Sequence, residues 1–305
     1  MQGRIVNLNG GVYQVEVETG EIKSLRARGK LRFVETLQVN PNSLSKKEEY
    51  QIVKNSPKVG DFVLVDEEFI LSILERKNEL VRPDIANVDQ ILLVFAAKEP
   101  DFSFYLLDLF LVNILKNRIQ PIIVVTKIDK LTTRELEELK AKLTYYEALG
   151  YKVFYVNSKL KIGIEEVAHC LQGKITVLSG QTGAGKSTLI NALFPDFSLK
   201  TQEISQALGR GKHTTRQTTL YSYHGGYIGD TPGFSKLDIL GINKKELSLW
   251  FEDFHSYSCQ FKDCLHQRNA KNCGVYQAVL DHKLLSSRYD SYLKMLDQLM
   301  KEEKR

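Results

Sequence analysis

Gly180-Gln181-Thr182-Gly183-Ala184-Gly185-Lys186-Ser187 is the stretch on which the reading of this chain turns. It matches G-x-x-x-x-G-K-[ST], follows the apolar run Ile175-Thr176-Val177-Leu178, and leads directly into Thr188-Leu189-Ile190-Asn191-Ala192-Leu193. That is the strand, loop, helix setting the pattern requires, and a merely flexible Gly-rich loop would have neither flank. Small residues let successive backbone N–H groups turn inward around an anion, and the helix behind them adds its positive end. In this reading Lys186 reaches the β- and γ-phosphate oxygens, the Ser187 hydroxyl takes Mg²⁺, and Thr188 completes the phosphate-binding set at the head of the helix.

Working outward, three further segments fit the same pocket. Upstream, Thr126-Lys127-Ile128-Asp129 ends the apolar run Ile122 to Val125 and resembles the [NT]-K-x-D motif of guanine-nucleotide switches. Asp129 can accept from the guanine N1–H and exocyclic amine while the Lys127 stem covers a ring face. Adenine has no such donor pair, and a carboxylate left unpaired is costly, so Asp129 selects GTP over ATP. A second strand end, Val156-Asn157-Ser158-Lys159, supplies another base-contact loop through Ser158 and Lys159. Downstream, Asp230-Thr231-Pro232-Gly233 follows a hairpin expected around Gly225-Gly226 and a short strand, Tyr227-Ile228-Gly229. Its carboxylate can hold Mg²⁺ through water and the Gly233 amide can meet the γ-phosphate.

The base-reading segments therefore precede the phosphate loop, the reverse of the usual order, and the chain reads as a circularly permuted GTPase. Between phosphate loop and Asp230 lies Gly209-Arg210-Gly211-Lys212-His213-Thr214-Thr215-Arg216, a basic, Gly-punctuated stretch. Either Thr214 or Thr215 supplies the switch hydroxyl for Mg²⁺. Phe234 follows Gly233 and no water-orienting Gln stands nearby, so unaided hydrolysis should be slow. His213 is the candidate catalytic group, with Arg210 and a group lent by a partner as alternatives.

The flanks differ in character. From Arg4 to about Leu74, short alternating runs such as Val12 to Val17 and Phe62 to Val65 are punctuated by Gly10-Gly11, Gly29 and Gly60, which predicts a small β-barrel interrupted by a polar loop from Asn40 to Lys54. From Ile91 onward, apolar runs at Ile91 to Ala97, Ile122 to Val125, Val153 to Val156 and Ile175 to Leu178 alternate with helical patterns, as in a parallel sheet covered on both faces. Thr132 and Glu135 predict a capping box, and Gly150 ends that helix. Past Gly233 the pattern is helical except for Cys259, Cys264, His266 and Cys273, a Cys₃His set suited to a closed, structural Zn²⁺ site. His255 is a rival ligand, whereas Cys170 beside Val167 and Leu171 reads as ordinary packing.

Composition bounds the partners. The 305 residues carry a net charge of +5, and Lys23, Arg26, Arg28, Lys30 and Arg32 cluster without an intervening acid, which favours nucleic acid. No apolar run is long enough to span a bilayer and the first residues lack an apolar signal segment, so a cytoplasmic protein without a membrane partner is expected.

Arg76-Lys77-Asn78-Glu79-Leu80-Val81-Arg82-Pro83, Asn87-Val88-Asp89, the permuted motif order, the Gly209 to Thr215 stretch and the Cys₃His knot together closely resemble the bacterial ribosome small-subunit-dependent GTPase A family. The resemblance covers nearly the whole chain. It implies a multidomain protein: an all-β OB-fold barrel at 1–74, a permuted α/β P-loop GTPase at 75–235 and a mainly α zinc-binding unit at 236–305. It also implies GTP/GDP, Mg²⁺ and Zn²⁺ as ligands, the 30S subunit and 16S rRNA as partners, and subunit-stimulated hydrolysis in late 30S maturation by a monomer. Two departures stand out: Thr126 occupies the position where Asn is commoner, and six residues, Gln267 to Asn272, separate the last two ligands where the family usually has five. An RNA-binding assembly clamp that keeps nucleotide only as a structural ligand is the alternative reading. Because the chain leaves the GTPase just past Gly233, loss of the γ-phosphate is expected to reposition the zinc unit relative to the barrel.

Overall fold

The computed structural model describes residues 1–32, 34–38, 49–53, 56–80, 83–194, 218–230 and 241–303, with only the backbone of residues 30, 32, 34–38, 49–53 and 230. Five short strands near the amino terminus close on themselves. They are β1 (Gln2–Asn9), β2 (Val12–Val17), β3 (Ile22–Ala27), β6 (Phe62–Val65) and β7 (Phe69–Ile73). β1, β2 and β3 pair antiparallel, β3 runs parallel to β7, and β6 joins β7 back to β1. Alternate residues point inward, so Ile5, Val15, Leu25, Val63 and Ile70 are buried and no barrel strand keeps an open edge. This OB-like closure is what the short alternating runs predicted.

One expectation needs correction. The stretch from Asn40 to Lys54 is not a loop throughout: β5 (Glu49–Val53) pairs antiparallel with β4 (Val34–Gln38) as a separate two-stranded sheet. Tyr50, Ile52 and Val53 carry strand propensity that the neighbouring lysines and glutamates obscured.

The segment joining barrel to central unit is bonded to both. Asp61, fully buried in the barrel, accepts two bonds of 2.7 Å from Arg76. Between β8 (Glu79–Leu80) and β9 (Ile85–Ala86) the chain doubles back, and the Asn78 side chain both donates to and accepts from the Val88 backbone. Asn87 reaches the Gly60 carbonyl, while Asp89 accepts from the Ile175 amide at 2.8 Å. The Arg-Lys-Asn and Asn-Val-Asp segments thus tie the barrel to the root of the phosphate-loop strand.

The central sheet runs β12 (Lys152–Tyr155), β11 (Gln120–Thr126), β10 (Gln90–Ala96), β13 (Ile175–Gly180), β15 (Gly226–Asp230) and β14 (Thr219–Tyr223). All neighbours are parallel except β14 and β15. Every residue of β10 is buried, and its period of two sorts them by face. Ile91, Leu93 and Phe95 pack with α1 (Phe104–Lys116) and α2 (Thr133–Ala148), and Leu92, Val94 and Ala96 with α3 (Ile164–Leu171) and α4 (Lys186–Leu193). The predicted capping box opens α2, with Thr132 N donating to Glu135 at 2.7 Å and Glu135 N donating to Thr132 at 3.3 Å. After β12 the chain crosses back to place β13 between β10 and β15, which makes the C-terminal end of β13 the switch point where open α/β sheets bind ligands.

Beyond residue 241, two 3₁₀ turns, Leu247–Trp250 and Glu252–Ser256, lead to α5 (Gly274–Leu280) and α6 (Ser286–Glu302). Phe251, Phe254, Tyr292 and Met295 pack against Leu109 and Val112 of α1. At the centre of this contact the buried Arg288 bonds Asp253 at 3.0 Å and Asp108 of α1 at 2.7 Å, and Tyr146 and Tyr145 donate to the same two carboxylates. Among the described residues no helix is long and apolar enough to cross a membrane.

Candidate functional site

The phosphate loop lies where β13 ends. Gly180 has φ +124°, and a Cβ there would stand 2.1 Å from the Val94 carbonyl, so β10 and β13 can approach only with glycine at this position. Gly183 and Gly185 also take positive φ, and Gly185 leads into α4 at Lys186. Ala184 is buried, Gln181, Lys186 and Ser187 are half-buried, and Thr182 and Thr188 are exposed. Burial holds the Lys186 ammonium below the usual lysine range, and it donates to the Gly180 and Gln181 carbonyls at 3.1 and 2.8 Å.

The segment expected to read the base meets this loop directly. Thr126, at the end of β11, donates its hydroxyl hydrogen to the Ala184 carbonyl at 2.5 Å, with the Phe95 carbonyl also within reach at 3.2 Å. The Lys127 backbone is left-handed, and its ammonium bonds the Gly183 carbonyl at 2.7 Å as well as the Glu99 carbonyl. Segments 56 and 58 residues apart are thereby joined at one rim, with Asp129 exposed beside them. Thr126, at the position where Asn is commoner, thus bonds the phosphate loop through its hydroxyl. Asn157 is buried, and its side-chain oxygen accepts from the Lys159 and Leu160 amides at 3.1 and 3.2 Å. It shapes a turn that carries Ser158 half-buried and Lys159 exposed after β12.

The loop between β10 and α1 was not singled out in the sequence, yet it forms the neighbouring wall. Gln181 donates to the Asp101 carbonyl at 2.8 Å, and Pro100 borders the space above Gly183. Only the dense run of breakers and acids, Lys98-Glu99-Pro100-Asp101, hinted at it. On the far side β15 ends at Asp230, whose side chain lies outside the described residues, as do Arg210, Lys212, His213, Thr214, Thr215, Thr231, Pro232 and Gly233. In the barrel, Arg28 pairs with Asp66 at 3.1 Å and Arg26 is exposed, while Phe33 and the Lys30 and Arg32 side chains lie outside the described residues.

The Cys₃His set converges. The ligand atoms of Cys259, Cys264, His266 and Cys273 lie within 4.8 Å of one another, and His266 Nδ1 faces the Cys259 and Cys273 sulfurs at 3.3 and 3.6 Å. The backbone is left-handed at His266 and at Asn272, the two ends of the stretch between the last two members of the set. Burial lowers the His266 value, which keeps the imidazole neutral as a metal ligand must be. Burial opposes a thiolate at Cys259, but hydrogen bonds from the Val275 and Gly274 amides and the Cys273 and Cys264 thiols together outweigh it and hold its thiol below the ordinary range. Tyr289 and Tyr292 brace the knot from α6 through the His266 and Leu265 carbonyls at 2.7 and 3.0 Å. Three thiols and an imidazole in a closed cluster fit a tetrahedral Zn²⁺ with no ligand position for water. His255 is exposed and outside the cluster, and Cys170 packs half-buried against the α3 and α4 face as expected.

The comparisons with known proteins agree with this geometry. The profile of the RsgA GTPase family matches residues 73–240. The small ribosomal subunit biogenesis GTPase RsgA of Onion yellows phytoplasma is 43% identical over 310 residues, covering 98% of both chains. The protein of that name from Bacillus subtilis is 44% identical over 254 residues, covering 81% of this chain and 85% of its own. Among solved structures, YjeQ from Thermotoga maritima superimposes with a TM-score of 0.80 at 34% identity over 98% of both chains. YloQ, described as a circularly permuted GTPase, gives 0.75 at 32% identity over 99% of this chain and 95% of its own.

Proposed function

We propose, from the premise that the chain belongs to the RsgA GTPase family, that it hydrolyses GTP to GDP and phosphate during biogenesis of the small ribosomal subunit, as a monomer in the cytoplasm. One observation supports this most: Thr126 and Lys127 bond the Ala184 and Gly183 carbonyls, so a base held by the first pair and phosphates wrapped by the second belong to one molecule. Asp129 reads the guanine edge, with Ser158 and Lys159 closing over the ring. The Gly180 to Thr188 amides and Lys186 hold the phosphates, and Ser187, Asp230 and either Thr214 or Thr215 hold Mg²⁺, which when bound neutralises charge on the β- and γ-oxygens. The Gly233 amide meets the γ-phosphate.

Positioning the attacking water falls to His213 or to a group from the partner, since no glutamine follows Asp230 closely. The partner is the 30S subunit, gripped through 16S rRNA by the barrel with Lys23 and Arg26, and the Cys₃His knot carries structural Zn²⁺. Hydrolysis titrated with purified 30S subunits tests this. A slow intrinsic rate that climbs steeply and saturates is expected, and a rate indifferent to subunits would favour nucleotide as a mere structural ligand.

A further inference from the structure

The expected route from nucleotide to RNA grip ran through the zinc unit, but the fold offers a second that bypasses it. The barrel and the central sheet are one continuous sheet, joined where β14 pairs antiparallel with β1 at Thr219 and Asn7. Thr219 is also the residue opposite Asp230 in the β14–β15 hairpin. Asn7, Thr219 and Asp230 therefore stand in one line across three strands. That line crosses the point where the chain returns from the His213-Thr214-Thr215 segment and departs into Thr231-Pro232-Gly233.

β1 is shaped for this contact. Its register against β2 slips between Ile5 and Asn7, a bulge at Val6, and across that bulge the other edge of β1 passes from β6, paired at Gln2 to Arg4, to β14, paired at Asn7. Bulges bend a strand and re-aim the side chains beyond them. The Asn7 side-chain oxygen beyond the bulge is buried without a partner among the described residues. Three residues earlier, the Arg4 guanidinium lies 4.0 Å from the Phe62 ring centroid of the barrel and 5.0 Å from that of Tyr227 in β15. Backbone pairing and a cation–π stack thus bind the same barrel strand to both members of the hairpin.

We propose that Asn7 and Arg4 are positioning residues through which the barrel and the two nucleotide switches set one another: γ-phosphate contacts that fix the hairpin fix the barrel's angle, and RNA held by the barrel braces the switches for hydrolysis. The proposal rests on the subunit-stimulated reaction proposed above. Linkage makes the coupling reciprocal in binding, so the same contacts set how much better the GTP form than the GDP form grips the subunit.

The Asn7 pairing is made by the backbone and survives a side-chain change. The test therefore uses the full chain with Arg4→Ala, Tyr227→Leu and Tyr227→Phe, each first checked for an unchanged circular dichroism spectrum and melting temperature. Intrinsic GTP hydrolysis should stay within about twofold of the parent, whereas stimulation at saturating 30S should fall about tenfold in the first two. Their preference for the subunit with a non-hydrolysable GTP analogue over GDP should shrink in parallel, and Tyr227→Phe, which keeps the ring, should retain both. Arg4→Ala and Tyr227→Leu combined should cost no more than either alone. Full stimulation and full preference in Arg4→Ala and Tyr227→Leu would overturn the inference. A parent chain that 30S subunits do not stimulate would instead overturn the function on which it stands.

Discussion

Replacing Arg288 by Met should loosen the carboxyl-terminal unit from the central one more than any other single change in that contact. Arg288 is 1% exposed, its single Nε–H is shared between the two Asp253 oxygens at 3.0 Å each, and Nη1 donates to Asp108, itself fully buried, at 2.7 Å. Methionine keeps much of the volume but leaves two carboxylates in an apolar contact between α1 and α6 without their cation. Removing one partner of a buried ionic set costs about 3–5 kcal/mol, most of it the stranded charge. Burial already pushes the Asp108 carboxyl up to about 6 against the pull of Arg288, and losing the cation drives it higher. Folding then favours the neutral acid, so the Asp108 contribution is lost as pH rises from the ordinary carboxyl value of 3.8 through the folded value and regained as pH falls. The variant should therefore be weakest above neutrality and recover part of its deficit near pH 5. Amide exchange resolved along the chain is the suitable assay, because a multidomain protein need not unfold in one step. Protection of α6 and of the α1 face that meets it should drop about a hundredfold or more at pH 7.5, while the barrel strands keep theirs. The Arg288 Nη2 atom lacks a partner among the described residues, so the network is imperfectly satisfied. Converting Asp108, Asp253 and Arg288 together to apolar residues, with Tyr145→Phe and Tyr146→Phe so that no hydroxyl loses its acceptor, should accordingly restore most of the loss. Less than about tenfold loss of protection in Arg288→Met, or no recovery in acid, would refute the claim that these charges are sealed from water.

Three other changes probe different levels of the fold. Metal analysis should find one zinc per chain, and a strong chelator should shift the emission of Trp250, the single tryptophan, which packs against the same cluster as Cys259 and Cys264; Cys273→Ser should mimic it. Gly180→Ala places a methyl 2.1 Å from the Val94 carbonyl in left-handed backbone, so it should abolish nucleotide binding measured by titration calorimetry and lower the melting temperature. Thr132→Ala removes one half of the α2 capping box, and about 1 kcal/mol of helix stability, read by amide exchange in the first turn, should go with it while GTP affinity holds.

The elements were legible because they depend on local pattern. The apolar runs became β10, β11, β12 and β13 within a residue or two, the Thr132 and Glu135 pair caps α2, and the four metal-ligand candidates meet. What local pattern does not carry is which strands neighbour one another and which lone polar residue is paired across a domain contact. Asp108, set among Leu107, Leu109, Phe110 and Leu111, was a visible anomaly, but its partner Arg288 lies 180 residues away. The pairing of Asn7 with Thr219 joins two units whose alternation is complete without it. The β4–β5 hairpin went unread because charged residues at 46–49 outweighed the short alternation after them.

On the proposed function, Asp129 reads the base of the nucleotide whose phosphates the Lys186 loop holds. Kinetics of Asp129→Asn with GTP and with xanthosine triphosphate, measured beside Lys186→Ala, test it most directly. The amide should accept poorly from the guanine donors and donate to the xanthine carbonyl, so kcat/KM should fall at least a hundredfold for GTP and rise above it for the xanthosine nucleotide. Lys186→Ala should hydrolyse neither. An Asp129→Asn enzyme with undiminished preference for GTP would contradict the shared pocket.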